Sequence, residues 1–486
     1  MSPRLKIRLI EPAPPVMHMW SYTAYPRLGL PMIGAALKAS GHDVRIYAPK
    51  TAPVDWADVE SADLVGLSTT TSTAPAAYAM ADRLRAKGVP VVIGGSHVTF
   101  MADEALEHAD YVGRGEGGEA LMLELVEVLG GEREPDTVRG LSFRRDGTAV
   151  HNDPRPPCPD LDSLPTPDLS LIVGYEDVNS MPIMTSWGCP FDCNFCSVTA
   201  MFGRRYRFRS PENVMEELRL KRPRRIFFYD DNLAADKKRL KRLLQMMIDE
   251  GIVVPWQAQM RTDVVRDPEL LDLMRRSGCE RIALGLESLD QATLDGFEKS
   301  QTVADIENAI ALLKAHGIMP FGMFVVGTDA DTPASVREIA RFALRKGITT
   351  LMLNILTPLP GTQLYEEMEA QGRVLDRDWS HYDAQHVVFA PRRMTPRQLQ
   401  RVTLRAYRRF YSTHRLVANA LALRIEKTKE LGWCWWFVRS WYVPRVNREN
   451  WRRLKDLRLP SERVVRGIAG ADVPKAGDGD AGGTGV

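Results

Sequence analysis

Residues 183–196 read Ile183-Met-Thr-Ser-Trp-Gly-Cys189-Pro-Phe-Asp-Cys193-Asn-Phe-Cys196. Ile183 to Ser186 has the composition of a short strand, and it runs straight into three cysteines spaced C-x3-C-x2-C. Thiolates are soft ligands that suit iron–sulfur clusters. Such clusters usually take four protein ligands, and this motif offers three. One iron is then left open to bind a substrate or cofactor. A structural zinc site is the alternative, but it closes with four ligands. The other cysteines, Cys158, Cys279 and Cys434, each stand alone in the sequence. Six cysteines in 486 residues are too few for a disulfide framework, so the tight group of three points to metal or redox chemistry.

Strand patterns recur after the motif at Arg225–Tyr229, Trp256–Met260, Arg281–Leu286, Met323–Val326 and Thr350–Leu356, with helical patterns between them. Six βα units predict an open parallel barrel whose functional residues sit at strand C-termini. The chain before residue 150 also alternates: strands at Ile7–Ile10, Val44–Tyr47, Leu64–Ser68 and Val89–Ile93, helices at Leu30–Ala39 and Pro75–Lys87. That rhythm predicts a parallel sheet covered on both faces. Prolines crowd residues 152–182, the composition of a linker. Beyond Gln371 the alternation stops. Pro396–Phe410 is expected to be a helix, with Leu399, Val402, Ala406 and Phe410 on one face. The Gly/Ala/Asp-rich stretch after Gly470 is expected to be disordered.

The balance of 64 Lys and Arg against 62 Asp and Glu gives a net charge of +2, so the whole chain offers no case for nucleic acid. Met1 to Ile10 lacks the apolar core of a signal peptide, and no run of 18 apolar residues occurs. A cytoplasmic protein is expected. The run Trp433-Cys-Trp-Trp-Phe-Val-Arg-Ser-Trp441 mixes tryptophan with arginine, which suits a membrane interface and a lipid substrate. A helix packing its aromatics on the barrel explains the same run.

The C-x3-C-x2-C spacing with Phe195 directly before the last cysteine resembles the radical S-adenosylmethionine (SAM) superfamily. The resemblance implies a [4Fe–4S] cluster on Cys189, Cys193 and Cys196. It implies that SAM chelates the open iron, that one electron from the cluster cleaves SAM to methionine and a 5′-deoxyadenosyl radical, and that an external electron donor is a partner. It also places Phe195 along the adenine, and Asp230 and Asp231 toward the SAM amino group or the substrate. Arg261 is placed at the SAM carboxylate, Glu287 or Ser288 at the ribose, and Gly327 near adenine. Helix capping, packing and plain turns are the other readings of these residues.

An α/β unit ahead of such a barrel resembles the cobalamin-binding subgroup. Val91-Val-Ile-Gly94-Gly95-Ser-His97 and Tyr111-Val-Gly-Arg-Gly115-Glu116-Gly-Gly-Glu119 carry that likeness, with Gly118 standing where an acidic residue is common. The Asp-x-His-x-x-Gly motif that supplies a lower cobalt ligand is absent, and His18 and His97 read as surface or hydrogen-bonding histidines. The implied architecture is a Rossmann-like cobalamin-binding-type domain (1–150), a proline-rich linker (151–180) and a partial (β/α)6 barrel (181–371). A helical extension (372–469) and a disordered tail (470–486) complete it. Trp379-Ser-His-Tyr-Asp383 and Pro391–Pro396 resemble an accessory segment over the substrate opening. The implied reaction is methyl transfer to an unactivated carbon of a small-molecule or lipid substrate. A non-methylating cyclisation, ring rearrangement or carbon–carbon coupling is the alternative, and an iron–sulfur electron-transfer or binding protein is the alternative from another class.

Overall fold

The computed structural model describes residues 4–15, 25–49, 51–175, 180–421 and 436. Short strands apolar on both faces can be buried only if helices cover both sides, and the first unit is built that way. Its elements are β1 (Lys6–Ile10), α1 (Gly29–Ala39), β2 (Asp43–Tyr47), α2 (Trp56–Glu60), β3 (Leu64–Thr69) and α3 (Ala74–Arg85). They continue with β4 (Val91–Gly95), α4 (Ser96–Phe100), α5 (Ala102–His108), β5 (Tyr111–Gly113), α6 (Gly118–Leu129), β6 (Leu141–Arg145) and β7 (Thr148–His151). The strand order is β2-β1-β3-β4-β5-β6-β7. The first five strands are parallel and the last two antiparallel. Leu9, Leu37, Leu121 and Leu125 fill one face; Leu67, Ala77, Leu84 and Leu106 fill the other.

The proline-rich stretch is more than a tether. Leu169 and Ile172 are buried, Ile172 bridges Ile46, and the Val173 amide donates to Ile46 O at 2.9 Å. The stretch thus straps the open edge at β2 through a single bridge rather than a full ladder.

The second unit runs β8 (Met181–Ile183), β9 (Ser186–Trp187), α7 (Ser197–Phe202), β10 (Arg207–Phe208), α8 (Pro211–Lys221), β11 (Ile226–Phe228), α9 (Lys237–Asp249) and β12 (Trp256–Met260). It continues with α10 (Pro268–Arg276), β13 (Cys279–Glu287), α11 (Gln291–Gly296), α12 (Val303–Ala315), β14 (Met319–Val326), α13 (Pro333–Lys346), β15 (Thr350–Ile355) and α14 (Gln363–Ala370). Six parallel strands, β15-β14-β13-β12-β11-β8, form the partial barrel. Alternation sorts their side chains. Ile282, Leu284, Phe324, Leu351 and Leu353 pack outward with Ile306, Ile310, Val336 and Ile339 of the helices. Ala283, Phe321, Met323 and Met352 form a separate cluster on the concave face.

The strand expected at Ile183–Ser186 is split. Pairing with β11 stops at Ile183, and Ser186–Trp187 pair antiparallel with Arg207–Phe208 instead. Asp230 causes the break. Its carboxylate accepts the Thr185 amide (3.2 Å), the Thr185 hydroxyl (2.8 Å) and the Ser186 hydroxyl, which turns this backbone away from the ladder.

The helix at Pro396–Phe410 is present as α15, and α16 (Thr413–Leu421) follows it. α15 shields the open edge of the barrel. The Tyr407 hydroxyl accepts from Leu353 N (2.8 Å) and donates to Leu353 O (3.2 Å), and Tyr411 does the same for Leu351 at 3.0 Å each. Two phenols thereby stand in for a neighbouring strand. Trp433–Trp451, apart from Trp436, and the tail lie outside the described residues. Among the described residues no helix is long and apolar enough to cross a membrane.

Candidate active site between the two sheets

The cysteine loop starts at Gly188, whose φ of +80° favours glycine; a Cβ there would lie 2.1 Å from Arg205 O. The Cys196 amide donates to Cys193 O at 3.0 Å, and the Thr199 hydroxyl of α7 donates to Phe191 O at 3.3 Å. Cys189, Cys193 and Cys196 are free thiols. Burial pushes the Cys196 thiol up to about 11 and raises Cys189 too, against the nearby Arg261 charge. Buried thiols of this kind become ligands when a metal takes their protons. Among the described residues no three His, Cys, Asp or Glu side chains converge as the ligands of one ion would. A cluster, whose cysteines each bind a different iron, does not need that convergence. Cys158 bonds Asp160 O instead, and Cys279 begins β13, at the opposite end of the strands from the loop. The donor set fits a three-cysteine cluster and gives zinc no fourth thiolate among the described residues.

Asp230 and Asp231 are adjacent but differently used. The Asp230 carboxylate is fully buried on Thr185 and Ser186, so it positions the lead-in to the loop. Asp231 is open to the cleft yet enclosed by surrounding protein, and burial with the Asp230 charge raises its carboxyl to about 7. Its charge is felt at both Cys189 and Cys196, which places it beside the loop. The Arg261 guanidinium lies 3.7 Å over the Phe191 ring and donates to Lys299 O. Phe195 is half-buried, its ring 4.5 Å from that of Phe297.

Glu287 sits at a β-bulge with φ of +57°, and its Oε1 accepts from Lys299 Nζ at 2.6 Å. Gly285 makes room for this pair, since a Cβ there would meet Glu287 Oε1 at 2.7 Å and Lys299 Nζ at 2.8 Å. The Ser288 hydroxyl accepts from Asp290 N at 3.0 Å. Lys299 and Gln301, which sequence reasoning missed, hold this strand end in place. The Gln301 amide donates to Gly285 O and Leu286 O and accepts from Thr262. Gly327 donates to Asp331 Oδ2 at 2.9 Å, and its α-carbon faces Leu399 and Phe389 of the C-terminal segment.

In the first unit, Gly95 has φ of +113°, and a Cβ would strike Thr69 O at 2.2 Å; close approach of β3 and β4 accounts for this glycine. Gly94 differs. It pairs with Gly113, and its Cβ would meet only Gly113 O, at 3.8 Å. Gly113 packs on Leu121 of α6, 3.4 Å from where its Cβ would lie, so Gly94 is the point at the end of β4 where backbone is left uncovered by side chains of the described residues, which fits close approach by a cobalamin. Gly115 donates to the Thr99 hydroxyl at 3.0 Å, and Glu116 is paired with Arg207 of the barrel unit. His97, expected near the surface, is only 1% exposed on α4. Its ring nitrogens make no hydrogen bond among the described residues, with Glu104 Oε1 3.6 Å from Nε2 and the Trp379 ring 5.1 Å away. Trp379 Nε1 donates to Glu104 at 2.9 and 3.1 Å, so the segment expected over the barrel opening also clasps the first unit. His18 lies outside the described residues.

The two strand-end regions meet. Tyr25, next to Arg27 and its partners Glu11 and Thr70, stacks on Phe227 of the barrel at 4.4 Å and bonds Gln257. Phe100 of α4 lies against Gly361 beyond β15.

Family comparisons agree with this geometry. Residues 183–343 match the radical SAM superfamily, and residues 21–123 match the B12 binding domain. An uncharacterised methyltransferase of Pyrococcus horikoshii is 31% identical over 408 residues, 80% of this chain and 88% of the relative. Bacteriochlorophyllide d C-12(1)-methyltransferase of Chlorobaculum tepidum is 29% identical over 412 residues, 82% and 85% of the two chains. The fold is that of the radical SAM methyltransferase TsrM from Kitasatospora setae, solved with cobalamin and a [4Fe–4S] cluster: TM-score 0.62, 19% identity, 76% of each chain. The chain belongs to the radical SAM superfamily, in the branch that carries a cobalamin-binding domain, and is an enzyme that cleaves SAM reductively at a [4Fe–4S] cluster.

Proposed function

We propose that this enzyme transfers a methyl group to an unactivated carbon of a large, mainly apolar ring substrate. The observation that carries the reading is the meeting of the two strand-end regions, where Tyr25 of the first unit reaches Phe227 on the concave face of the second. When bound, the cluster and SAM supply a hydrogen-abstracting 5′-deoxyadenosyl radical, and cobalamin supplies the methyl group. The protein's share is placement and exclusion of water. Cys189, Cys193 and Cys196 hold the cluster. Asp231 and Arg261, both beside the loop, offer a carboxylate and a guanidinium to the amino and carboxylate groups of SAM. Glu287, steadied by Lys299, would bind the ribose, and Phe195 would pack on the adenine. Gly94 would give the corrin or its tail a surface without a side chain.

The concave face suggests the substrate class. Phe227, Ala283, Phe321, Met323 and Met352 line it, and the register adds Gln257 and Asn354 as polar points. Methionine and aromatic walls suit flat apolar rings and adapt to their outline. The bacteriochlorophyllide of the Chlorobaculum relative belongs to that class. The test is anaerobic turnover with SAM deuterated in its methyl group. A product carrying the deuterated methyl is expected. A product with a new ring and no added methyl would instead establish the cyclising alternative.

A further inference from the structure

The loop Gly115-Glu116-Gly117-Gly118 does not end its interactions within the first unit. Glu116 Oε1 accepts from Arg207 Nη2 at 2.7 Å, with the two side chains only 6% and 11% exposed. Arg207 belongs to β10, whose antiparallel partner β9 (Arg207 opposite Trp187) leads directly into Gly188 and Cys189. Its Nη1 also donates to Cys158 O of the proline-rich strap at 2.9 Å, and its guanidinium lies 5.9 Å from the Trp187 ring centroid. One arginine therefore joins the glycine loop of the cobalamin unit, the strap and the hairpin carrying the cluster loop.

A buried ion pair is a poor way to gain stability, because the desolvation of both charges offsets much of their attraction. Here the pair is bonded through single atoms, and Glu116 Oε2 and Arg207 Nε are buried with no hydrogen-bond partner among the described residues. A contact selected for stability alone would be met by apolar packing or a two-bond fork. The cost is consistent with a role in registry. Resting on the reading that both cofactors serve one reaction, we propose that Glu116 and Arg207 are positioning residues that fix the cluster loop relative to the cobalamin-binding unit.

The test uses full-length holoenzyme with cob(II)alamin and a reduced cluster, and measures the cluster's enhancement of cob(II)alamin electron-spin relaxation. Glu116→Gln, Arg207→Gln and Arg207→Lys are compared with the wild type. At wild-type iron and corrin content, the enhancement is expected to fall at least threefold in the two glutamine variants. Arg207→Lys, which keeps the charge but loses the planar fork, should fall between. An unchanged enhancement in Glu116→Gln and Arg207→Gln, with both cofactors bound, overturns the proposal. So does loss of corrin from Glu116→Gln with normal enhancement in the fraction still loaded, because that marks Glu116 as a direct corrin contact. Should Arg207→Gln lose iron through misfolding, Arg207→Lys and Glu116→Gln decide the matter. No product is measured, so failure of the methyl-transfer reading leaves this result interpretable.

Discussion

Replacing Asp230 by alanine removes the acceptor for Thr185 N–H, Thr185 O–H and Ser186 O–H in one step. Hydrogen bonds to a charged group are each worth about 1.5–3 kcal/mol. The sum is reduced because burial already disfavours the Asp230 carboxylate, raising its pKa, and because the freed hydroxyls can find other acceptors. A net loss of about 3–5 kcal/mol follows. At about 2–4 °C per kcal/mol for domains of this size, the melting temperature should drop by on the order of 10 °C. The neighbouring Asp231→Asn replaces a carboxylate that burial already disfavours and that accepts no hydrogen bond among the described residues, so its melting temperature should stay within about 2 °C. Anaerobic calorimetry on the wild type and both variants, with iron content measured in parallel, checks the pair. Asp230→Ala melting like the wild type while Asp231→Asn melts early would refute the division of labour drawn for the two carboxylates.

Tyr407→Phe should cost about 1–3 kcal/mol in a denaturant titration, because Leu353 N–H and C=O lose their shared partner; an unmoved midpoint would show the edge is not capped this way. Gly188→Ala should leave the melting temperature of the first unit intact but sharply reduce iron per chain, since its Cβ would lie 2.1 Å from Arg205 O. Full iron loading in that variant would contradict the tight turn. The ion pair with Arg266 and bonds from Thr302 hold the Asp305 carboxyl down at about 2, below its ordinary value of 3.8. A depressed carboxyl stabilises the fold fully above its unfolded pKa and loses that contribution as pH falls through the folded one. The penalty of Asp305→Asn, about 0.5–1 kcal/mol at neutral pH, should therefore shrink between pH 4 and pH 2 in urea titrations. A penalty constant across that window would assign the effect to something other than charge.

Much of this architecture was legible because it is local. The cysteine spacing stood in one loop, the barrel strands announced themselves as short apolar runs, and α15 matched its apolar stripe from Pro396 to Phe410. The β6–β7 hairpin was missed although Asp146–Gly147, both at positive φ, is a strong hairpin signal. Other features depend on partners far apart in sequence. Asp230 and Asp231 read alike as strand-end acids, and only Thr185 and Ser186, more than 40 residues away, tell them apart. Glu116 looked like part of a glycine-rich cofactor loop, yet its partner Arg207 is 91 residues distant. Lys299 and Gln301 lie in a turn with no periodicity to mark them, and their role appears only when that turn folds over the end of β13. The proline-rich stretch read as a tether because composition cannot show that Ile172 bridges β2.

The most direct test of the central claim is anaerobic reconstitution with iron, sulfide and hydroxocobalamin, followed by measurement of iron, corrin and reductant-dependent 5′-deoxyadenosine. About four irons per chain are predicted, with one corrin and SAM cleavage; Cys193→Ala should lose the iron and the cleavage while keeping the corrin. A colourless protein that holds zinc, or an iron-loaded one that never cleaves SAM, would contradict the account.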